Sequence, residues 1–382
     1  MRLALLLLVL SFGVLAAPGG PPDQTWPNGA KYWGPLLFKQ PHGRGYLAGP
    51  DGQVYEGDFA NGKFHGQGTM RLPNGDEYRG GFANGQFEGQ GTLRYAKPLA
   101  DGRSQDSGLW RQGRFEDVAD RARAALNVET ALYNQKSLLD AALAAIEPSQ
   151  KGRINLYLLA VAGDGSQEVF RREVEFVRSQ FDRDFGTRGR SLALINSRNT
   201  VESAPMATLT SIGAAIRTIA ARMDRDNDIL FVFMTSHGGK DHEFKLNQSA
   251  MTLRGLRPQD LARLLEESRI RWKVVLVSAC YSGGFVEPLK SESTMVITAA
   301  RADRTSFGCD DENDFTYFGR AFFKEALPAS GSFFEAFTRA QKLVEDWEKR
   351  DKTPEKERSL PQIYSPVLLS EQLKRWWAQP RR

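Results

Sequence analysis

A 23-residue period runs through the first third of this chain. Tyr55, Gly57, Phe59, Gly62, Gly66 and Gly68 recur 23 residues on as Tyr78, Gly80, Phe82, Gly85, Gly89 and Gly91. The pattern reaches back to Gly29, Tyr32, Gly34, Gly43 and Gly45, and a degraded copy follows at Gly108, Trp110, Gly113 and Phe115, displaced by five extra residues. A unit this short cannot bury an apolar face alone, so successive units must stack on one another. Each reads as a β-hairpin. Asp51-Gly52 and Asn74-Gly75 supply tight turns, and alternating aromatics flank them. Glycine suits both the turns and the close approach of neighbouring hairpins. The aromatics then form a ladder along one face. His42 and His65, also 23 apart, belong to this lattice and not to any chemistry.

The rest of the chain has to fold differently. At 382 residues there is room for two or three domains. Lys and Arg outnumber Asp and Glu by 51 to 46, and a net charge of +5 is too mild for a dedicated nucleic-acid binder. Two cysteines exclude a disulfide-dense scaffold. Arg2, the apolar stretch Leu3–Leu15 and the small residues Ala16 and Ala17 form the pattern of a secretory signal over 1–17. An N-terminal membrane anchor is the alternative, but the stretch is short for a span. The mature chain is therefore expected to be soluble, without a transmembrane segment, and periplasmic or secreted.

Residues 116–150 read as a helical linker, with Ala124, Leu126, Leu132, Leu138, Leu139 and Leu143 on one or two amphipathic helices. Beyond Pro148 and Gly152, apolar runs alternate with helical stretches. The strands expected are Ile154–Val161, Leu192–Asn196, Ile229–Thr235, Lys273–Ser278 and Met295–Thr298, with a short last one around Ile363–Leu368. The helices expected are Glu168–Phe185, Leu209–Met223, Pro258–Ser268, Tyr317–Leu327 and Phe333–Lys349. Leu373–Trp377 reads as a packing helix with a basic end, or as a membrane-surface segment. Strands this uniformly apolar are buried on both faces, which means a mostly parallel sheet covered by helices over 151–382.

Ligands of such sheets bind beyond the carboxyl ends of the strands. The third strand runs into Thr235-Ser236-His237-Gly238-Gly239, and the fourth into Ser278-Ala279-Cys280-Tyr281-Ser282-Gly283-Gly284. If the two strands are neighbours, His237 and Cys280 emerge side by side. That is the pairing nucleophilic acyl transfer needs, with the histidine activating the thiol. The amides of Gly238 and Cys280 are then placed to stabilise an oxyanion. A lone cysteine is more often a buried structural thiol, and a lone histidine a satisfied core residue. Their matching positions at strand ends favour catalysis. Of the four histidines, only His242 remains, in the polar run Lys240–Glu243 that reads as a solvated loop. Cys309 lies beyond the fifth strand, and a Cys280–Cys309 disulfide is a further alternative.

Two resemblances follow from these residues. The block 28–115 resembles the MORN repeat (membrane occupation and recognition nexus). That implies an elongated β-meander used for binding a protein or lipid partner, or for dimerisation; a purely structural extension is equally open. Ser236-His237-Gly238 and Ala279-Cys280-Tyr281-Ser282-Gly283 resemble the His-Gly and Ala-Cys-x-Ser-Gly motifs of the legumain family of cysteine peptidases, which has a caspase-like α/β fold. The resemblance runs over about 153–325 and includes Thr305-Ser306-Phe307 and Thr316-Tyr317-Phe318-Gly319. It implies His237 as general base, Cys280 as nucleophile and Gly238 as an oxyanion-hole amide. It also implies Arg171, Ser306 and Arg320 as walls of the pocket for the residue before the cut (P1). Two positions depart from the family. Val169 stands where the family has an asparagine, so no third residue orienting the histidine is evident. Arg320 stands where the family has an aspartate, so the arginine pair would favour an acidic P1 residue over Asn; Arg320 facing solvent is the competing reading.

The expected activity is that of an exported cysteine endopeptidase. A transamidase would use the same dyad with an amine in place of water. A MORN-repeat binding protein of the cell envelope, with the α/β domain as a non-catalytic scaffold, is the reading from another class. No phosphate-binding Gly-x-x-x-x-Gly-Lys-Ser/Thr loop, His-Glu-x-x-His or Gly-x-Ser-x-Gly motif occurs, so neither nucleotide nor zinc is expected as a cofactor. The acidic run Asp310–Asp314 does not have EF-hand spacing and reads as a solvated loop.

Overall fold

The computed structural model describes residues 17–99, 102–116, 118–248, 250–311 and 313–380. The expected signal segment, Ala17 apart, lies outside the described residues. The chain divides into two compact units between Arg123 and Ala124.

The first unit is a nine-stranded antiparallel meander from Gln24–Thr25 to Arg114–Glu116, each strand pairing with the next along the chain. A separate small hairpin, Leu36–Leu37 with Gln40–Pro41, projects from it. Inward-facing tyrosines lie in sockets made by glycine. A Cβ at Gly68 would fall 2.5 Å from the Tyr55 hydroxyl, and one at Gly91 would fall 2.1 Å from that of Tyr78. Both hydroxyls donate to backbone carbonyls, Tyr55 to Asp58 at 2.8 Å and Tyr78 to Gly81 at 3.1 Å. The expected ladder is present as edge-to-face contacts, Tyr55 on Phe82 at 4.9 Å and Tyr78 on Trp110 at 5.2 Å. Two-residue turns with both residues at positive φ fall at Asn61-Gly62, Asn84-Gly85 and Gln112-Gly113, as right-handed hairpin twist demands. The equivalent turn of the small hairpin is Phe38-Lys39, at φ 49° and 60° without glycine.

In the second unit a six-stranded sheet has the order Ser191–Ile195, Leu156–Ala162, Ile229–Thr235, Trp272–Ser278, Thr294–Thr298, Gln362–Tyr364. The first five are parallel and the last is antiparallel. Alternate residues feed two separate cores. Leu158 and Ala160 face helices Val169–Asp184 and Phe333–Arg350, while Tyr157, Leu159 and Val161 face helices Leu209–Arg222 and Pro258–Glu267. Burial on both faces explains the unbroken apolar runs of the sequence. The fold class expected, a hairpin array followed by a helix-flanked α/β sheet, is the one observed.

The linker is a single helix, Val118–Ala144, one of the two forms expected. Two details differ from expectation. The last strand stops at Tyr364, because Pro366 breaks it and opens helix Val367–Trp377. The Tyr317–Leu327 segment is α-helical only to Gly319 and π-helical over Arg320–Ala326. No helix among the described residues is long and apolar enough to cross a membrane.

Candidate active site

Three neighbouring strands end in register. Ala162 pairs with Thr235, and Thr235 with Ser278. Two residues past each of these points stand Asp164, His237 and Cys280. Parallel pairing at the centre of the sheet thus places a carboxylate, an imidazole and a thiol in neighbouring strand-end loops. The loops are stitched together by Gly163 N–H to Thr235 O at 3.0 Å and Ser236 N–H to Ser278 O at 3.2 Å.

His237 is half-buried, with Phe170 edge-on to its ring at 5.1 Å. Burial lowers its pKa below the ordinary value; the Asp164 charge opposes this and Lys245 adds to it. A neutral imidazole at pH 7 is the form that accepts a thiol proton. Asp164 is buried at 4% exposure and held by Ser166 Oγ at 2.6 Å and Asn247 Nδ2 at 2.9 Å. Its charge acts on His237, and the sequence reading passed over it. The signal was available: it stands two residues past its strand end, as His237 and Cys280 do.

Cys280 is half-buried with a free thiol. The Ser306 N–H donates to its sulfur at 3.3 Å, and the Ser306 hydroxyl lies 3.7 Å away. Gly238 presses on the Cys280 peptide so closely that a Cβ there would meet the carbonyl oxygen at 1.9 Å and the nitrogen at 3.2 Å. Only glycine fits, and the backbone amides of Gly238 and Cys280 are brought together as candidate oxyanion donors.

The arginines are placed differently. Arg171 gives Nε to Glu168 at 2.5 Å and Nη1 to Glu175 at 2.7 Å. Arg320 is exposed, bonds Glu325 at 3.2 Å and lies over the Trp347 ring at 5.3 Å. Among the described residues, no hydrogen bond or ion pair joins either arginine to Cys280 or Ser306.

His242 is a correction. It is half-buried, its Nδ1 lies 3.0 Å from Tyr281 O, and its ring fills the space where a side chain at Gly284 would stand. It fastens the loop that follows the nucleophile. The acidic run is the exposed loop expected, and it is anchored as well. The Asp311 carboxylate accepts from Glu168 N–H at 2.6 Å and Arg198 at 2.9 Å, while Arg172 binds the carbonyls of Asp311 and Asn313. Burial works against ionisation of Asp311, but those donors outweigh it and lower its pKa. Cys309 is also a free thiol, and burial, followed by the Cys280, Glu173 and Asp310 charges, pushes it up to about 12. No cluster able to hold a metal occurs among the described residues.

Residues 213–363 match the Peptidase C13 family. This is the legumain family, a family of cysteine peptidases, and the match contains His237, Gly238, Cys280, Ser306 and Arg320. Asp164 and Arg171 lie outside it. Residues 55–77 and 78–97 match the MORN repeat. Among solved structures, caspase-1 from Spodoptera frugiperda is similar at 15% identity, over 58% of this chain and 89% of that one, with a TM-score of 0.39. No curated protein matches the chain.

Beneath the Peptidase C13 motifs sits a group the sequence did not advertise. Glu173 is fully buried under the ends of the histidine and cysteine strands. Its Oε1 accepts from Thr316 N–H at 3.2 Å and Thr316 Oγ1 at 2.8 Å, and Thr316 Oγ1 in turn lies 3.0 Å from Ser278 Oγ. Its other oxygen and the Thr235 hydroxyl both lack a hydrogen bond of ordinary length. Burial pushes the carboxyl up to about 7, with the Thr235 and Thr316 hydroxyls opposing.

Proposed function

We propose that the second unit is an exported cysteine endopeptidase acting through Cys280 and His237. One observation carries this: a thiol and a neutral imidazole two residues past register-paired strand ends, with a backbone N–H on the sulfur. His237 takes the Cys280 proton as sulfur bonds to the peptide carbonyl carbon. The oxyanion that forms is met by the Gly238 and Cys280 amides. His237 returns the proton to the leaving amine as the C–N bond breaks, leaving a thioester. Water, deprotonated by His237, then adds to the thioester and releases the acid and the thiol. An amine in place of water would give transamidation from the same thioester. The reading of 1–17 as a signal places the enzyme in the periplasm or medium, and the hairpin array serves to hold a protein or lipid partner.

For P1, the choice lies between acidic residues and Asn. Arg171 supports the acidic reading, although it must share its donors with Glu168 and Glu175. The test is labelling of the full-length protein with peptide acyloxymethyl ketones carrying P1 Asp or P1 Asn, followed by peptide mapping. An adduct at Cys280 that disappears in His237→Ala supports the dyad, and the faster probe ranks the pocket. An adduct elsewhere, or equal labelling without His237, sinks the assignment.

A further inference from the structure

A cavity of about 760 Å³ opens between helix Phe333–Arg350, the chain 354–361 and the loop that begins at Arg301. That loop runs straight to the nucleophile. Tyr281 N–H, the residue after Cys280, donates to Arg304 O at 2.7 Å, and Ser306, two residues further, donates to the Cys280 sulfur at 3.3 Å.

The charges lining the cavity do not all cancel. Arg301 is held by both oxygens of Asp303, at 2.6 and 2.9 Å. Glu345 is taken by Lys349 at 2.5 Å. Glu348 is buried, and one of its oxygens accepts from Ser359 N–H and Oγ. Among the described residues, the one carboxylate Arg304 reaches is an Asp303 oxygen, 3.8 Å away, that Arg301 already occupies. Its Nε is buried and has no hydrogen-bond partner among those residues. Lys356 and Arg358 stand on the same wall, but Arg358 gives Nε to Thr353 O at 3.4 Å and its charge acts on Glu345, which leaves Arg304 the least engaged half-buried cation of the lining. A half-buried guanidinium with unmade bonds is costly, and its planar fork fits a carboxylate best. Arg171 and Arg320, by contrast, already have carboxylate partners.

We propose that this cavity is an anionic subsite in which Arg304 binds an aspartate or glutamate side chain of the peptide being cut. Arg304 stands two residues before Ser306, a span of at most about 7 Å, so the acidic residue lies one or two positions from the scissile carbonyl. The inference rests on the peptidase reading and names part of its substrate.

The test is equilibrium binding of dye-labelled octapeptides to the full-length Cys280→Ala protein, which cannot turn over. The peptides carry a single Glu or Gln at successive positions. At one position Glu binds at least tenfold tighter than Gln, and Arg304→Gln removes that difference while leaving the Gln peptides unchanged. Arg304→Lys retains part of it, and thermal unfolding of both variants shows that they fold. No Glu/Gln difference at any position, or one that survives Arg304→Gln, overturns the proposal. Turnover by the unmodified protein separates the two readings. Peptide cleavage without an Arg304-dependent preference sinks the subsite alone. An Arg304-dependent preference without Cys280 labelling or cleavage sinks the peptidase reading and leaves the anion site standing.

Discussion

The hairpin array and the α/β unit solve the problem of a buried polar group in opposite ways. In the array the buried phenols are periodic: Tyr55 and Tyr78 each lie in a glycine socket and each satisfy a carbonyl three residues on. In the α/β unit the buried polar groups are single and unlike one another. Asp164, Glu173 and Ser278, and the half-buried His237 beside them, each have a different environment. Repetition spreads structural burden over equivalent positions, whereas chemistry concentrates in positions with no equivalent.

His237→Ala is the sharpest way to test that contrast. It is expected to lower Cys280 alkylation or peptide turnover by roughly 10²–10⁴-fold while leaving the fold intact. Asp164→Asn has the smaller effect of moving the acid limb of the rate profile to lower pH. The Asp164 charge raises the His237 pKa, so its removal leaves the imidazole neutral further into acid. An unmoved limb would remove Asp164 from the site.

Gly91→Ala should do the reverse. A Cβ 2.1 Å from the Tyr78 hydroxyl forces the ring out of its socket, at about 3 kcal/mol, and leaves Cys280 labelling unchanged. Denaturant unfolding of the mutant measures the first outcome and mass spectrometry the second.

Glu173 gives a pH signature to the second unit. Its folded pKa, about 7, lies above its ordinary value of 4.5. The unfolded chain therefore releases this proton first as pH rises. The contribution to stability is whole below pH 4.5 and is lost as pH rises through about 7, by roughly 3 kcal/mol. Urea unfolding at pH 5 and pH 8 should show that loss, and Glu173→Gln should flatten it.

The smallest effect lies in the turn that breaks the array's own rule. Phe38→Asn with Lys39→Gly restores the turn chemistry of Asn61-Gly62 and should stabilise the protein by about 1 kcal/mol, read as a shift of the urea midpoint.

These contrasts also explain what the sequence revealed. The repeat was legible because a fixed period is visible without knowing any contact. The parallel sheet was legible because burial on both faces leaves uniformly apolar runs, and His237 and Cys280 followed from strand ends alone. Glu173 was not legible. On a helix whose other charged residues face water, a glutamate reads as surface, and only the missing Cβ of Gly319, whose place lies 1.6 Å from Oε1, makes room for it. His242 was read as solvated because its partner, Tyr281, comes from a distant part of the chain, and the anchoring of the exposed Asp311 by Glu168 and Arg198 was hidden for the same reason. Arg304 carried no local signal either. Its meaning lies in which of its neighbours are already engaged.

The glycine sockets make length an adjustable quantity. Each 23-residue unit adds two strands spaced about 4.8 Å apart, so one more copy extends the array by roughly 10 Å and needs no new contact type. Duplication or deletion of whole units changes reach in fixed steps. The array can therefore be lengthened or shortened like a ruler, by a change confined to the sequence of the first unit.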